Sequence, residues 1–230
     1  MQAPVTVILP TFNRAEYLPA SVDSLLEQTF PPAQLIVVND GSTDGTAEAI
    51  APFRDRVTYI EQENAGKPAA INTALPLVEG EYIWVFDDDD VACPDALERH
   101  LAVFEQEPAA GFTFSSAYRA VTAPDGEMLC VESVMSPRHF PTEDFYAELL
   151  LESYTPSPAL VVRTDVQKEA GPYNRELTRN EDWEMALRWG LVAPAARLAD
   201  NRPTYYRRLH EGLRGPKWQQ FASHEQVVRG

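Results

Sequence analysis

Tyr82-Ile83-Trp84-Val85-Phe86-Asp87-Asp88-Asp89-Asp90 decides how this chain folds, because five apolar residues run without a break into four carboxylates. An uninterrupted apolar run of this length is the pattern of a strand covered on both faces, as in the parallel sheets of α/β proteins. The aspartates then sit at the rim of that sheet. Neighbouring carboxylates repel, and partial burial disfavours their ionised form further. A divalent cation relieves both penalties, and hard oxygen ligands suit Mg²⁺, Mn²⁺ or Ca²⁺ rather than a thiol-seeking metal. If the chain stays extended, Asp87 and Asp89 share one side and Asp88 and Asp90 the other, so one or two of the four are expected to touch the metal. The competing reading is a solvated acidic turn in which Asp90 and Asp95 serve the N-terminus of the next helix.

Upstream, strand-like runs at 5–9, 35–39 and 57–61 alternate with helical patterns at 17–28 and 43–53. Within 17–28, Leu18, Val22, Leu25 and Leu26 form one apolar stripe, with Glu16, Asp23 and Glu27 opposite. A helix over 68–77, with Pro68 in its first turn, and another over about 94–105 flank the strand at 82–86. This rhythm predicts an α/β fold: a mostly parallel, twisted sheet with right-handed crossovers and helices on both faces. Ligands of such sheets bind beyond the carboxyl ends of the strands. Pro10-Thr11-Phe12-Asn13, Asp40-Gly41-Ser42, Glu63-Asn64-Ala65-Gly66-Lys67 and the aspartates each follow a strand, so all are expected on one rim.

Beyond about residue 110 the rhythm changes, which divides the chain into residues 1–110 and 111–230 of one compact unit. The segments 111–121 and 127–134 flank Ala123-Pro124-Asp125-Gly126, a hairpin signal with glycine where positive φ is needed. Helices are expected over 140–152 and 180–189, the latter with Trp183, Leu187 and Ala186 inward, and strands over 159–163 and 203–209. The remainder to Gly230 is polar and reads as helical.

The whole chain narrows the function. Its 230 residues suffice for a substantial core. Nineteen basic against thirty-five acidic residues give a net charge of −16, which repels nucleic acid and anionic membranes, so no nucleic-acid partner is expected. An anionic ligand needs a cation's help, in keeping with a metal at the aspartates. Cys93 and Cys130 have neither pairing nor metal-ligand spacing, and Met1-Gln2-Ala3-Pro4 lacks a basic n-region. No apolar run reaches the roughly 18 residues of a spanning helix. These features lead to the expectation of a cytoplasmic protein, held near a membrane only through its acceptor or a partner.

Four motifs in order, Ile8-Leu9-Pro10-Thr11-Phe12-Asn13, Val38-Asn39-Asp40-Gly41-Ser42-Thr43-Asp44, Gly80-Glu81-Tyr82 leading into the aspartates, and Asn180-Glu181-Asp182-Trp183, give the chain its likeness. Together they resemble the family-2, inverting glycosyltransferases of GT-A fold. The resemblance implies a hydroxyl-bearing acceptor, a nucleotide-diphosphate sugar donor, with a UDP-sugar favoured, and Mg²⁺ or Mn²⁺. It assigns residues 1–110 to the donor and 111–230 to the acceptor.

The resemblance also implies roles for single residues. Asp89 is the firmest metal ligand, Asp87 a ligand or a neighbour of one, and Asp88 faces ribose or nucleotide, although a small residue often stands at this position in the family. His210, after Tyr205-Tyr206-Arg207-Arg208-Leu209, approaches the metal or the diphosphate. Asp40 contacts uracil or a similar base; its own sequence context equally suits an Asx-turn or a helix cap, with Asp44 the likelier cap. Phe12 offers a stacking face for the base or else packs in the core. Thr11 and the Pro10 carbonyl frame the nucleoside. Lys67 is a point charge for the diphosphate or a solvated lysine. Asp182, in a helix's first turn where the macrodipole favours its ionised form, is the general base, or with Glu181 simply complements that dipole. Arg207 and Arg208 suit phosphate or exposed pairing alike. A glycoside hydrolase, with its paired carboxylates, and a noncatalytic nucleotide-sugar or cation-binding module are the rival classes. A nucleotidyltransferase is disfavoured by the lack of a Gly-rich basic phosphate loop.

Overall fold

The structure is a computed structural model that describes residues 2–122, 128–134, 145–151, 156–198 and 202–209. Its strands are β1 (Ala3–Thr11), β2 (Pro32–Asn39), β3 (Thr58–Glu61), β4 (Tyr82–Val85), β5 (Val91–Ala92), β6 (Phe112–Phe114), β7 (Ala117–Thr122), β8 (Met128–Val134), β9 (Leu160–Arg163), β10 (Ala195–Arg197) and β11 (Tyr205–Arg208). The helices are α1 (Leu18–Leu26), α2 (Thr46–Ala49), α3 (Lys67–Ala74), α4 (Ala96–Gln106), α5 (Phe145–Leu151), α6 (Thr164–Ala170) and α7 (Glu181–Val192).

Seven strands form the main sheet in the order β10-β6-β9-β4-β1-β2-β3. The pairs β1–β2, β1–β4, β2–β3 and β6–β10 are parallel, and β9 runs antiparallel between β4 and β6. The α/β, mostly parallel architecture expected from the alternating pattern is therefore present. β1 lies inside the sheet, and every residue of it except Pro4 is buried. Side chains of adjacent residues leave on opposite faces. Val7, Leu9 and Trp84 pack with Leu18, Val22 and Leu25 of α1 and Leu97 and Phe104 of α4. Ile8, Ile83 and Val85 pack with Ile71 of α3 and Trp183 and Trp189 of α7 on the other face. Trp84 is fully buried and donates Nε1–H to the carbonyl of Pro158 at 2.9 Å, so one side chain joins apolar burial to a satisfied polar tip. Its loss would cost about 3–5 kcal/mol. At the start of β4, a Cβ on Gly80 would lie 2.5 Å from the backbone nitrogen of Thr6, so only glycine lets β4 approach β1 there.

Three expectations need correction. The segment 111–121 is two strands, of which only β7 pairs antiparallel with β8 as an arm of the expected hairpin. Ser115 and Ser116 carry the chain from the main sheet, where β6 lies, to a second sheet of order β5-β11-β7-β8. Ser115 donates its N–H to Ala159 at 3.0 Å and shares a 2.5 Å hydroxyl bond with Thr204, while Ser116 accepts from Thr204 N at 3.0 Å. These buried polar bonds let the strand change sheets. Second, the chain does not stay extended after Phe86. Asp90 N–H donates to the Asp87 carbonyl at 3.3 Å, and this turn removes the expected two-sided alternation of the aspartates. Third, α6 forms directly after β9 where no helix was expected; its buried Thr164, Val166 and Gln167 are too few and too mixed in polarity to give a readable stripe. The turn at 123–126, residues 140–144, His210 and the remainder to Gly230 lie outside the described residues.

Candidate functional site

Beyond the carboxyl ends of β1, β2 and β4 lies a cleft of about 800 Å³, lined also by the start of α7 and by Arg207 of β11. Pro10, Thr11, Phe12, Asp40, Lys67, Asp87, Asp88, Asp89 and Asp182 all line it. Nine residues singled out from the sequence thus share one space.

The loop after β1 is held by Asn13, which adopts the left-handed conformation at φ 53°. Asparagine tolerates that region better than most residues. Its N–H donates to Ser42 Oγ at 2.9 Å and its Oδ1 accepts from Thr43 N at 2.8 Å, which fastens the first rim loop to the second. Phe12 is 43% exposed, so its ring belongs to the cleft surface and not to the core. Asp40 is buried and accepts from Gln62 Nε2 at 2.7 Å, Ala65 N at 2.9 Å and Gly66 N at 2.8 Å. It neither makes an Asx-turn nor caps α2; it organises the loop after β3. A carboxylate has about four acceptor positions, so capacity remains for a ligand. Gly41 must be glycine: its φ is 75°, and a Cβ would stand 2.8 Å from Asn64 N. Asp44 accepts from Thr46 N at 3.0 Å in the first turn of α2, and those hydrogen bonds outweigh burial and hold its carboxyl below the usual range.

The turn after β4 gathers carboxylate oxygens of Asp87, Asp89 and Asp90 within 4.8 Å of one another. Asp90 is buried, and burial followed by repulsion from Asp87 and Asp89 pushes its carboxyl well above the normal range. Burial, then Asp89, pushes Asp88 up to about 7. This crowding, all hard oxygen and no sulfur, fits Mg²⁺ or Mn²⁺. Asp90 Oδ1 accepts Arg208 N–H at 3.0 Å, so part of its acceptor capacity is spent on the backbone of β11. Asp88 turns away and accepts from Phe12 N at 3.3 Å.

Among the described residues, Arg14 and Lys67 reach the carboxylates of the cluster. Arg14 Nε lies 3.8 Å from Asp88 Oδ1 and 3.7 Å from Asp89 Oδ2. Lys67 donates to Asp87 Oδ1 at 2.7 Å and Ser157 Oγ at 3.3 Å, and lies 3.0 Å from Glu181 Oε1. It is not a solvated lysine: burial opposes its charge, but Asp87, Glu181 and Asp182 outweigh that and raise it well above its ordinary range. The sequence reading passed over Arg14 and Ser157 and saw no partner for Glu181. Arg14 follows directly on Pro10-Thr11-Phe12-Asn13, which was the available signal.

Asp182 stands in the first turn of α7, whose N-cap Asn180 is left-handed at φ 59°. The macrodipole was expected to keep this carboxylate ionised. Burial, reinforced by Glu181, instead pushes it up to about 7 despite the lowering effect of Lys67 and of the Trp183 N–H bond. Arg208 is buried and structural, whereas Arg207 is exposed and faces the cleft.

The family model described as Glycosyl transferase family 2 matches residues 6–163. A curated relative, Glycosyltransferase GlyA of Streptococcus pneumoniae serotype 4 (strain ATCC BAA-334 / TIGR4), is 38% identical over 117 residues, which are 48% of this chain and 17% of that protein. S. aureus TarS 1–349 in complex with UDP-GlcNAc superposes with a TM-score of 0.72 at 23% identity, covering 99% of this chain and 65% of that one. Mannosyltransferase PcManGT from Pyrobaculum calidifontis, in complex with GDP-Man and Mn²⁺, gives 0.70 at 22% identity, covering 100% of this chain and 65% of that one. At such identities the two structures show a shared fold. The chain spans less than two thirds of each of these three proteins. Among the described residues, no helix is long and apolar enough to cross a membrane.

Proposed function

The chain belongs to glycosyl transferase family 2, and from that premise we propose that it moves a sugar from a nucleoside-diphosphate donor to an acceptor hydroxyl with inversion at the anomeric carbon. One observation carries the reading: the aspartate turn and Asp182 line the same cleft from different elements. UDP-GlcNAc in TarS and GDP-Man with Mn²⁺ in PcManGT support a nucleotide-sugar donor, and we favour a UDP-sugar. Residues 1–110 serve the donor and residues 111–230 the acceptor.

Phe12 presents its ring to the base, and a stacked base is worth about 1–3 kcal/mol. Asp40 uses its remaining acceptor capacity for a base N–H, while Thr11 and the Pro10 carbonyl border the nucleoside. Asp88 faces the ribose. Asp87 and Asp89 would hold Mg²⁺ or Mn²⁺, which when bound neutralises charge on the diphosphate leaving group. Arg207 adds positive charge to the cleft lining. Asp182 takes the proton of the acceptor hydroxyl as that oxygen attacks, a contribution of typically ~10²–10⁴ in rate. A carboxyl that titrates near neutrality suits that task. Lys67 meets a diphosphate only by giving up one of the three protein oxygens around it.

The test pairs two variants. Calorimetry of UDP binding with and without Mn²⁺ should show Asp89→Asn losing the metal-dependent part, whereas Asp182→Asn keeps it and loses transfer from UDP-GlcNAc. Equal UDP affinity with and without Mn²⁺ in the unaltered protein would refute the metal assignment. Donor binding with no transfer to any hydroxyl acceptor would point to a binding module.

A further inference from the structure

Lys67 joins three parts of the chain that are remote in sequence. An ammonium has three N–H donors, and the three oxygens around this one come from Asp87 beyond β4, Glu181 at the start of α7, and Ser157 in the short 3₁₀ turn before β9. Lys67 is itself anchored as the first residue of α3, behind Gly66 at φ 90°, whose N–H is held by Asp40. Glu181 is only 8% exposed, and a carboxylate so buried needs a cation. Asn180 gives α7 no side-chain cap, so the bridge through Glu181 adds a polar tie between the helix entrance and the sheet rim to the apolar packing of Trp183.

We propose that Lys67 is a positioning residue for Asp182: by holding Glu181 against Asp87 it fixes the first turn of α7, and with it the carboxylate beside Glu181, relative to the aspartate turn. This rests on Asp182 being the base. Among the described residues, the groups that face Asp182 electrostatically are Glu181 of its own helix, Lys67 from α3, Asp87 beyond β4, Arg207 and Tyr205 of β11, and Tyr173 before α7. Lys67 and Glu181 act on Asp182 with opposite sign. A clamp that sets the position of Asp182 therefore also sets its titration.

Aspartate labelled with ¹³C in the carboxyl group reports this in the protein free of metal and nucleotide, with the Asp182 signal identified by its loss in Asp182→Asn. Lys67→Met should raise the Asp182 midpoint and Glu181→Gln should lower it, each by about one pH unit, while Lys67→Arg stays close to the unaltered protein. Shifts that are absent or of the same sign overturn the proposal. So does a loss of UDP affinity in Lys67→Met, measured with Mn²⁺, as large as its loss of turnover, because that marks a direct diphosphate contact. If Lys67→Met does not fold, Glu181→Gln and Lys67→Arg carry the same comparison. The titration needs no turnover, so it fails independently of the base assignment, which Asp182→Asn tests through transfer.

Discussion

Arg208 lies beneath the aspartate turn, donating Nε–H to the backbone carbonyl of Asp89 at 2.8 Å. Its own backbone N–H reaches Asp90 Oδ1 at 3.0 Å, its guanidinium sits 4.9 Å from the Tyr17 ring centroid, and a further N–H goes to Thr122 Oγ1. The second sheet thus grips the turn that presents the proposed metal ligands. Arg208→Met leaves the buried Asp89 carbonyl without its donor, so it should lower stability by about 2 kcal/mol in urea unfolding. Arg208→Lys should recover little, since an ammonium cannot reproduce the fork. A change below about 1 kcal/mol would mean that other groups hold the turn.

Asp182 titrates near 7, so its ionised fraction rises through neutrality. Turnover at saturating donor should therefore climb about tenfold from pH 6 and level off above pH 8. Stability runs the other way. The folded state holds this proton more tightly than the unfolded chain, whose aspartate titrates near 4, so stability falls as pH rises from about 4 to 7. Asp88 and Asp90, also raised, add slopes of the same sign, so Asp182→Asn should reduce the slope by its own share and raise the melting temperature at pH 8 more than at pH 5. Equal changes at both pH values would contradict a raised carboxyl.

Periodicity carried the sheet and the rim loops, because a two-face-buried strand and a one-stripe helix leave patterns within ten residues. Leu18, Val22 and Leu25 are fully buried as their spacing requires. What escaped depends on contacts distant in sequence. Asp40 serving Ala65 and Gly66, Lys67 meeting Glu181, and the Ser115–Thr204 bond that splits one expected strand in two have no local signature. The direction of the Asp182 shift was missed for the same reason: the macrodipole is read from helix position, but the burial that raises this carboxyl comes from the fold.

His100 should contribute to the acid limit of the fold. It is fully buried on α4, with Nδ1 2.8 Å from Thr113 Oγ1, and burial assisted by Arg99 pushes it down to about 3. An unfolded histidine binds its proton near 6.5, so between pH 6.5 and 3 the unfolded state binds more protons and stability falls with pH. The ceiling is on the order of 5 kcal/mol. His100→Gln should flatten that part of the urea midpoint against pH curve while leaving the slope above pH 7 unchanged. An unaltered acid limb would assign the loss to the carboxylates instead.

Phe12 separates recognition from stability. Its ring is 43% exposed on the cleft wall, and its backbone N–H, which donates to Asp88 Oδ2 at 3.3 Å, survives any side-chain change. Phe12→Ala should thus leave the melting temperature of the free protein nearly unchanged, since little apolar area leaves the core. Lost stacking of about 1–3 kcal/mol corresponds to UDP binding weakened roughly 5- to 150-fold. Phe12→Trp should retain most of the affinity, because any aromatic face can stack on a base. An affinity for UDP that is indifferent to both substitutions would move the base out of this part of the cleft, and with it the nucleoside role of Asp40 and Thr11.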